Sequence, residues 1–297
     1  MKYFDREGRL TEKSSGQDRL LKALYTHAAG RLLLKPLIRP AVSKAGGWLL
    51  NSRVSALLVK PFVRWNRIDL SQCERKTFQS FNDFFTRRLQ VAARPIAEGE
   101  QVLISPCDGK LSVWPIKDDR SFQIKNTWYT LNELLRSGSL AKRYEGGFAC
   151  VFRLTVDDYH RYCYMADGLK SANRKIPGMF HTVNPIANDC YPIYKENTRE
   201  YCVLKTKDFG SLLIMEVGAL MVGRITNHQP RKTFVSKGQE KGRFEFGGST
   251  IVVLLPAGRV RPDQDLIDNT RAGGETIVKM GERIGVADTS NTDHKRS

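Results

Sequence analysis

The chain has 297 residues, enough for one large domain or two smaller ones with a full apolar core. Hydrophobic content of 41% and charged content of 27% exclude an intrinsically disordered chain. A formal net charge of +17 points to a polyanionic partner, either nucleic acid or an anionic membrane surface.

Between Arg19 and Arg67 the chain carries ten Lys or Arg residues and no Asp or Glu. Leu20, Leu24, Ala28 and Leu32 recur every fourth residue, and Leu50, Val54, Leu57 and Leu58 make a second stripe. This spacing predicts two or three short amphipathic helices, punctuated by Gly46, Gly47 and Pro61. Apolar faces flanked by cations, with Trp48, Phe62 and Trp65 as amphipathic aromatics, suit the surface of an anionic bilayer. The competing expectation is a helical subdomain that packs its stripes on the main body and leaves the cations solvated. No zinc finger, RRM, KH signature or heptad repeat supports a nucleic-acid partner. No apolar run is long enough to span a membrane, so the expected state is soluble or peripheral.

In "FQSFNDFFTRRLQVAARPI" (78–96), Phe81, Phe84, Phe85 and Leu89 fall on one helical face, with Arg94-Pro95 as the stop. From about Val102 the texture changes to short β-rich runs: "VLISPCDGKLSVW", "GFACVFRLTV", "SLLIMEVGALMVGRI" and "STIVVLLPAGRV". Separated by Gly, Pro and Asp, they predict an antiparallel sheet or sandwich, with a short helix at "LNELLRS" (131–137). The tail 287–297 is polar. The expected class is therefore α+β, with N-terminal amphipathic helices (1–77) ahead of a mainly antiparallel β-sheet or sandwich domain (78–286).

Six cysteines (Cys73, Cys107, Cys150, Cys163, Cys190 and Cys202) show no CxxC pair and no metal-ligand spacing. Without a secretory signal they fit a reducing compartment. His160 follows an apolar run in "TVDDYHRYCYMADG", among Asp157, Asp158, Tyr159 and Arg161, where proton transfer is chemically reasonable. Asp108 in "SPCDGK" occupies a tight turn, and His181 in "MFHTVNP" is a weaker candidate. In "KGRFEFGGSTIVVLLP" (241–256), Gly247 and Gly248 bring Ser249 to the mouth of a buried strand. There is no HExxH, P-loop, dinucleotide fingerprint or GxSxG, so no familiar cofactor site is present.

"FNDFFTRRL…ARPI", "SPCDGK", "DDYHRY", "VNPIA", "EVGALMVGRI" and "KGQEKGRFEFGGST" occur in the order found in phosphatidylserine decarboxylases. The chain resembles that family over roughly 78–255, and most closely its bacterial form with a GGST motif. The resemblance implies autocatalytic serinolysis at Gly248–Ser249, giving a β chain of residues 1–248 and an α chain of residues 249–297. Ser249 would become a covalent pyruvoyl group, the cofactor (pyruvate), with no metal. That carbonyl would condense with the amine of phosphatidylserine and act as electron sink while CO2 leaves. His160 would be the general acid, and Asp108 would belong to the self-cleavage relay. The partners implied are phosphatidylserine in an anionic membrane and the paired α and β chains, at the cytoplasmic face of a bacterial cell membrane, with no nucleic acid. Many members read YHRxH, and this chain has Cys163 where the second histidine would stand. The readings kept beside this one are a pyruvoyl decarboxylase of another amino-acid substrate and a non-catalytic lipid binder that lost its relay at Cys163.

Overall fold

The computed structural model describes residues 2–12, 46–124, 127–179, 193–218, 224–245 and 249–290. The stripe Leu20–Leu32, His181, Cys190, Gly247, Gly248 and the end of the polar tail lie outside these residues. Five long strands form the centre: β1 (Gly109–Pro115), β2 (Phe148–Leu154), β3 (Arg199–Lys205), β4 (Ser211–Gly218) and β5 (Ser249–Leu255). Their order across the sheet is β3-β4-β5-β2-β1, all antiparallel. β5 is central and every one of its residues is buried, as a run so rich in apolar and β-branched side chains requires.

Alternation sorts the side chains into two cores. Cys150, Phe152, Ile214, Ile251 and Val253 face one layer with Leu103, Tyr162, Cys163 and Phe244. Those last residues come from two small sheets, Ile225–Asn227/Glu240–Phe244/Arg161–Cys163 and Val260–Pro262/Arg283–Ala287/Val102–Ile104. Val151, Leu213, Met215, Val252 and Leu254 face the other core, capped by helix α3 (Leu131–Leu135) and the Phe122–Tyr129 aromatic pair. The class is α+β, with mostly antiparallel sheets and few helices.

The N-terminal expectation needs correction. Residues Lys2–Phe4 and Leu10–Glu12 are strands at one edge of the main sheet, the first parallel to Glu275–Val278, so 1–77 is not uniformly helical. Nothing in three-residue strands betrays them to a periodicity search. Further on, residues 46–50 are helical, Arg53–Leu58 is a 3-10 turn, and α1 covers Val59–Asn66. The helix in 78–96 is also shorter than its stripe suggested. α2 spans only Phe81–Phe85, capped by the Ser80 hydroxyl accepting from Asp83 N, and Leu89 is bridged to Cys73 instead.

α1 and α2 share a small core of Val59, Ile68, Phe81, Phe84 and Phe85, where Phe62 meets Phe81 edge-on at 5.0 Å. Of the second stripe, only Leu50 packs there among the described residues. Val54 (73% exposed), Leu57 (77%) and Leu58 (52%) face outward, as do Trp48 and Trp65 (85%).

Candidate active site

Ser249 is the first residue of β5, fully buried, paired with Leu154 of β2 on one side and Gly218 of β4 on the other. Its Oγ has no hydrogen-bond partner among the described residues. A buried hydroxyl left unpaired is unfavourable, and such exceptions in a folded protein call for an explanation.

Strand topology brings the other candidates to the same end of the sheet. Lys110, Arg153, Thr250 and Val217 stand in one row across β1, β2, β5 and β4, so Asp108 and the turn after β2 lie beyond the same edge as Ser249. β1 and β5 are two strand spacings apart, roughly 10 Å, and no hydrogen bond joins Asp108 to Ser249 among the described residues.

Asp108 is engaged elsewhere. Its Oδ1 accepts from Arg94 Nε (2.7 Å) and Met280 N (2.9 Å), and its Oδ2 from Arg94 Nη2 (2.5 Å). Asp158 is committed too: Lys110 Nζ donates to both carboxylate oxygens (2.8 and 2.6 Å), and Thr155 N donates to Oδ2 at 2.6 Å. Neither carboxylate is a free base.

The turn that Asp158 holds presents His160, which is completely buried. The ring lies against Phe85, with centroids 3.9 Å apart. Nδ1 is 3.0 Å from the Asp158 carbonyl, which can only accept, so this nitrogen carries the hydrogen. Nε2 is left with its lone pair and has no hydrogen-bond partner among the described residues. Burial pushes the pKa down to about 3, against a smaller opposing pull from Asp158. The imidazole is therefore neutral near pH 7. The His160 carbonyl accepts from Phe244 N at 2.9 Å, tying this turn to the strand that leads to Ser249.

Cys163 lies in the apolar core, its Sγ 3.9 Å from the Ser105 carbonyl. Burial pushes the thiol up to about 12, which makes it a poor base at neutral pH. No Asp108–Cys163–Ser249 hydrogen-bond relay exists among the described residues.

Sequence reading missed two features. Arg94 appeared only as a helix stop, although it holds Asp108. Glu216 and Lys241 form an ion pair of 2.8 Å with neither side chain exposed, bridged by Asn227 (Lys241 Nζ to Oδ1 2.7 Å; Nδ2 to Glu216 3.1 Å). Burial opposes the Lys241 charge, but Glu216, Cys202 and Glu200 together outweigh it and hold the ammonium above its ordinary range. The signal was present: a glutamate inside the apolar run "SLLIMEVG" demands a buried cation.

Fold and site thus define a mainly antiparallel α+β protein with a buried strand-initial serine and a buried, neutral histidine at the same end of its central sheet. The family model for phosphatidylserine decarboxylase matches residues 81–286. "Phosphatidylserine decarboxylase proenzyme 2" of Clostridium acetobutylicum is 46% identical over 266 residues, 89% of this chain and 91% of that protein. The phosphatidylserine decarboxylase proenzyme of Ruminiclostridium cellulolyticum is 42% identical (90% and 91%), and that of Clostridium novyi 39% identical (96% and 99%). The chain belongs to the phosphatidylserine decarboxylase family.

Proposed function

We propose that this chain is a proenzyme that cleaves itself at Gly248–Ser249 and then decarboxylates phosphatidylserine to phosphatidylethanolamine. The reading is carried by the Ser249 hydroxyl, buried at the head of a central strand and without a hydrogen-bond partner among the described residues. The Ser249 oxygen attacks the Gly248 carbonyl, and elimination of the resulting ester followed by hydrolysis leaves a pyruvoyl group at position 249. Such a hydroxyl is the right precursor for that group, since no hydrogen bond to the described residues is lost when the oxygen leaves. The pyruvoyl carbonyl, once formed, supplies the electron sink for decarboxylation.

His160 is the residue suited to move protons. Its Nε2 lone pair accepts the Ser249 proton in the precursor, through a water or after local closure, since Nε2 and Oγ are not hydrogen-bonded to each other. The same nitrogen, once protonated, can return a proton to the substrate α-carbon. Arg94 and Lys110 hold Asp108 and Asp158 around it, which makes these carboxylates positioning groups. Maturation does not depend on Cys163.

After cleavage β5 stays hydrogen-bonded between β2 and β4, and Arg283–Ala287 stays paired with Val102–Ile104, so the α and β chains remain one body. Trp48, Val54, Leu57, Leu58 and Trp65, beside the exposed Arg53, Lys60, Arg64 and Arg67, form the membrane-facing surface. No helix among the described residues is long and apolar enough to cross a membrane, and we assign peripheral attachment at the cytoplasmic face of a bacterial membrane.

Intact mass of purified protein, with phosphatidylethanolamine formation measured in detergent micelles, tests the reading. The wild type should give two chains and activity, and Ser249→Ala a single inactive 33.7 kDa chain. Two chains from Ser249→Ala, or an active wild type that is never cleaved, would overturn it.

A further inference from the structure

Beside the His160 turn lies a cavity of about 160 Å³, room for about five waters, whose lining includes Arg75, Arg87, Arg88 and Arg161 with only Glu74 and Asp83 as counterweights. Arg87 is the unusual member. It is 94% buried, being only 6% exposed, yet it makes no ion pair among the described residues. Its Nη2 donates to the carbonyls of Asp157 and Asp158 (3.2 and 3.3 Å), while buried Nε and Nη1 have no hydrogen-bond partner among the described residues. The Cys73 thiol beside it is at best a weak acceptor. A buried guanidinium without an anion is strongly unfavourable unless something supplies one.

The rest of the site is built rather than incidental. Glu74 N donates to Arg88 O (3.0 Å), clamping the Glu74–Arg75 segment beside Arg87 and Arg88. Arg161 Nε donates to Thr86 O (2.9 Å) and its Nη1 pairs with Glu240 (2.7 Å), fixing the opposite wall. Arg75 and Arg88 are exposed and carry no ion pair among the described residues. Four guanidinium groups around a small polar cavity suit a phosphate, which such groups bind in bidentate fashion.

We propose that this cavity is an anion subsite that takes the phosphodiester of a membrane phospholipid. The choice of a phospholipid rests on the decarboxylase reading. Its position fits, because α2 joins the two surfaces a lipid would have to touch. Phe81 and Phe84 pack on Phe62 of α1, the helix that carries exposed Trp65, while Phe85 stacks on His160 and Arg87 follows two residues later. The phosphodiester is that of the substrate itself or of a neighbouring anionic lipid. Since decarboxylation leaves the phosphate untouched, substrate and transition state would hold it equally, and its loss would appear in KM rather than kcat.

The test uses the full-length matured protein and the rim variants Arg75→Gln, Arg88→Gln and their double, with Arg87→Lys as a conservative change at the buried position. In neutral-detergent micelles with phosphatidylserine as the sole lipid, the double variant should raise KM by about tenfold or more, with far smaller changes in kcat and in the extent of maturation. Glycerophosphoserine should inhibit the wild type competitively and the double variant more weakly by a similar factor. That pattern identifies the substrate's own phosphate. If KM in micelles is unchanged but stimulation by phosphatidylglycerol in phosphatidylcholine vesicles is lost, the site stands and takes the neighbouring lipid. If all variants keep wild-type KM, inhibition and lipid stimulation while the wild type makes phosphatidylethanolamine, the subsite is wrong and the decarboxylase reading survives. Calorimetric binding of glycerol 3-phosphate to the Ser249→Ala precursor gives a readout independent of activity. Equal binding by the precursor with and without the double substitution would also overturn the subsite, whatever the enzyme does.

Discussion

Arg94 clasps Asp108 through two hydrogen bonds of 2.7 and 2.5 Å, with both side chains about nine-tenths buried. An aspartate so held is an anchor between the segment after α2 and the start of β1. Removing one partner of such a pair strands the other charge, which typically destabilises by about 3–5 kcal/mol. Arg94→Ala should therefore impair the protein about as much as Asp108→Ala. Urea unfolding in a Ser249→Ala background, where cleavage cannot intervene, checks stability, and precursor loss in cell-free translation checks maturation. If Arg94→Ala unfolds and matures like the wild type while Asp108→Ala does not mature, Asp108 acts directly in the chemistry.

The central strands were legible because their burial is written in short runs of apolar and β-branched residues, and Ser249 was legible because glycines punctuate its strand. The length of α2 was not, because the Phe81–Leu89 stripe continues past the point where Thr86 leaves helical geometry and Arg87 turns inward. The engagement of the charges was not legible either. Arg94 meets Asp108 across 14 positions and Lys110 meets Asp158 across 48, and no local pattern encodes which distant cation will neutralise a given carboxylate. That Nε2 of His160 has no partner among the described residues is likewise a property of packing, with Phe85 covering the ring.

The buried His160 gives stability a distinct pH dependence. Its folded pKa, about 3, lies below the ordinary value of 6.5, so between these values the unfolded chain holds a proton that the folded protein does not. Its contribution is therefore present above about pH 6.5 and is lost as the pH falls toward 3, by up to a few kcal/mol. In the Ser249→Ala background, the unfolding free energy should fall more between pH 7.5 and pH 5 for His160 than for His160→Gln, whose side chain does not titrate. Equal falls would mean that His160 is exposed or already protonated.

Cys163 stands where the family resemblance implies a relay histidine, but it has the environment of a core residue. With burial lifting its thiol to about 12, almost none is thiolate at neutral pH. Cys163→Ala should mature within a fewfold of wild type, its main effect being a small cavity among Cys107, Tyr162 and their neighbours. Cys163→His would force a larger polar ring into that core and should not accelerate cleavage, because Asp108 is already bound to Arg94. A time course of precursor loss decides: complete arrest of the alanine variant, in protein that still unfolds cooperatively, would make the thiol the maturation base.

The outward stripe should be what holds the protein to lipid. Deleting residues 1–67 is a poor test, because it removes Lys2–Phe4 and Leu10–Glu12 from the main sheet as well. Point changes are cleaner. Trp65 is 85% exposed and Leu57 77%, so Trp65→Ala and Leu57→Ser remove apolar surface that makes little contact within the protein and should leave unfolding unchanged. Together they should weaken binding to phosphatidylglycerol-containing vesicles by tenfold or more, taking about 25 cal/mol per Å² of apolar area withdrawn from water. Arg64→Gln with Lys60→Gln should weaken it too, but mainly at low salt, since those cations act through a screened potential. Vesicle sedimentation across a salt series separates the two effects. Wild-type binding by both pairs of variants would place the lipid contact outside residues 46–67.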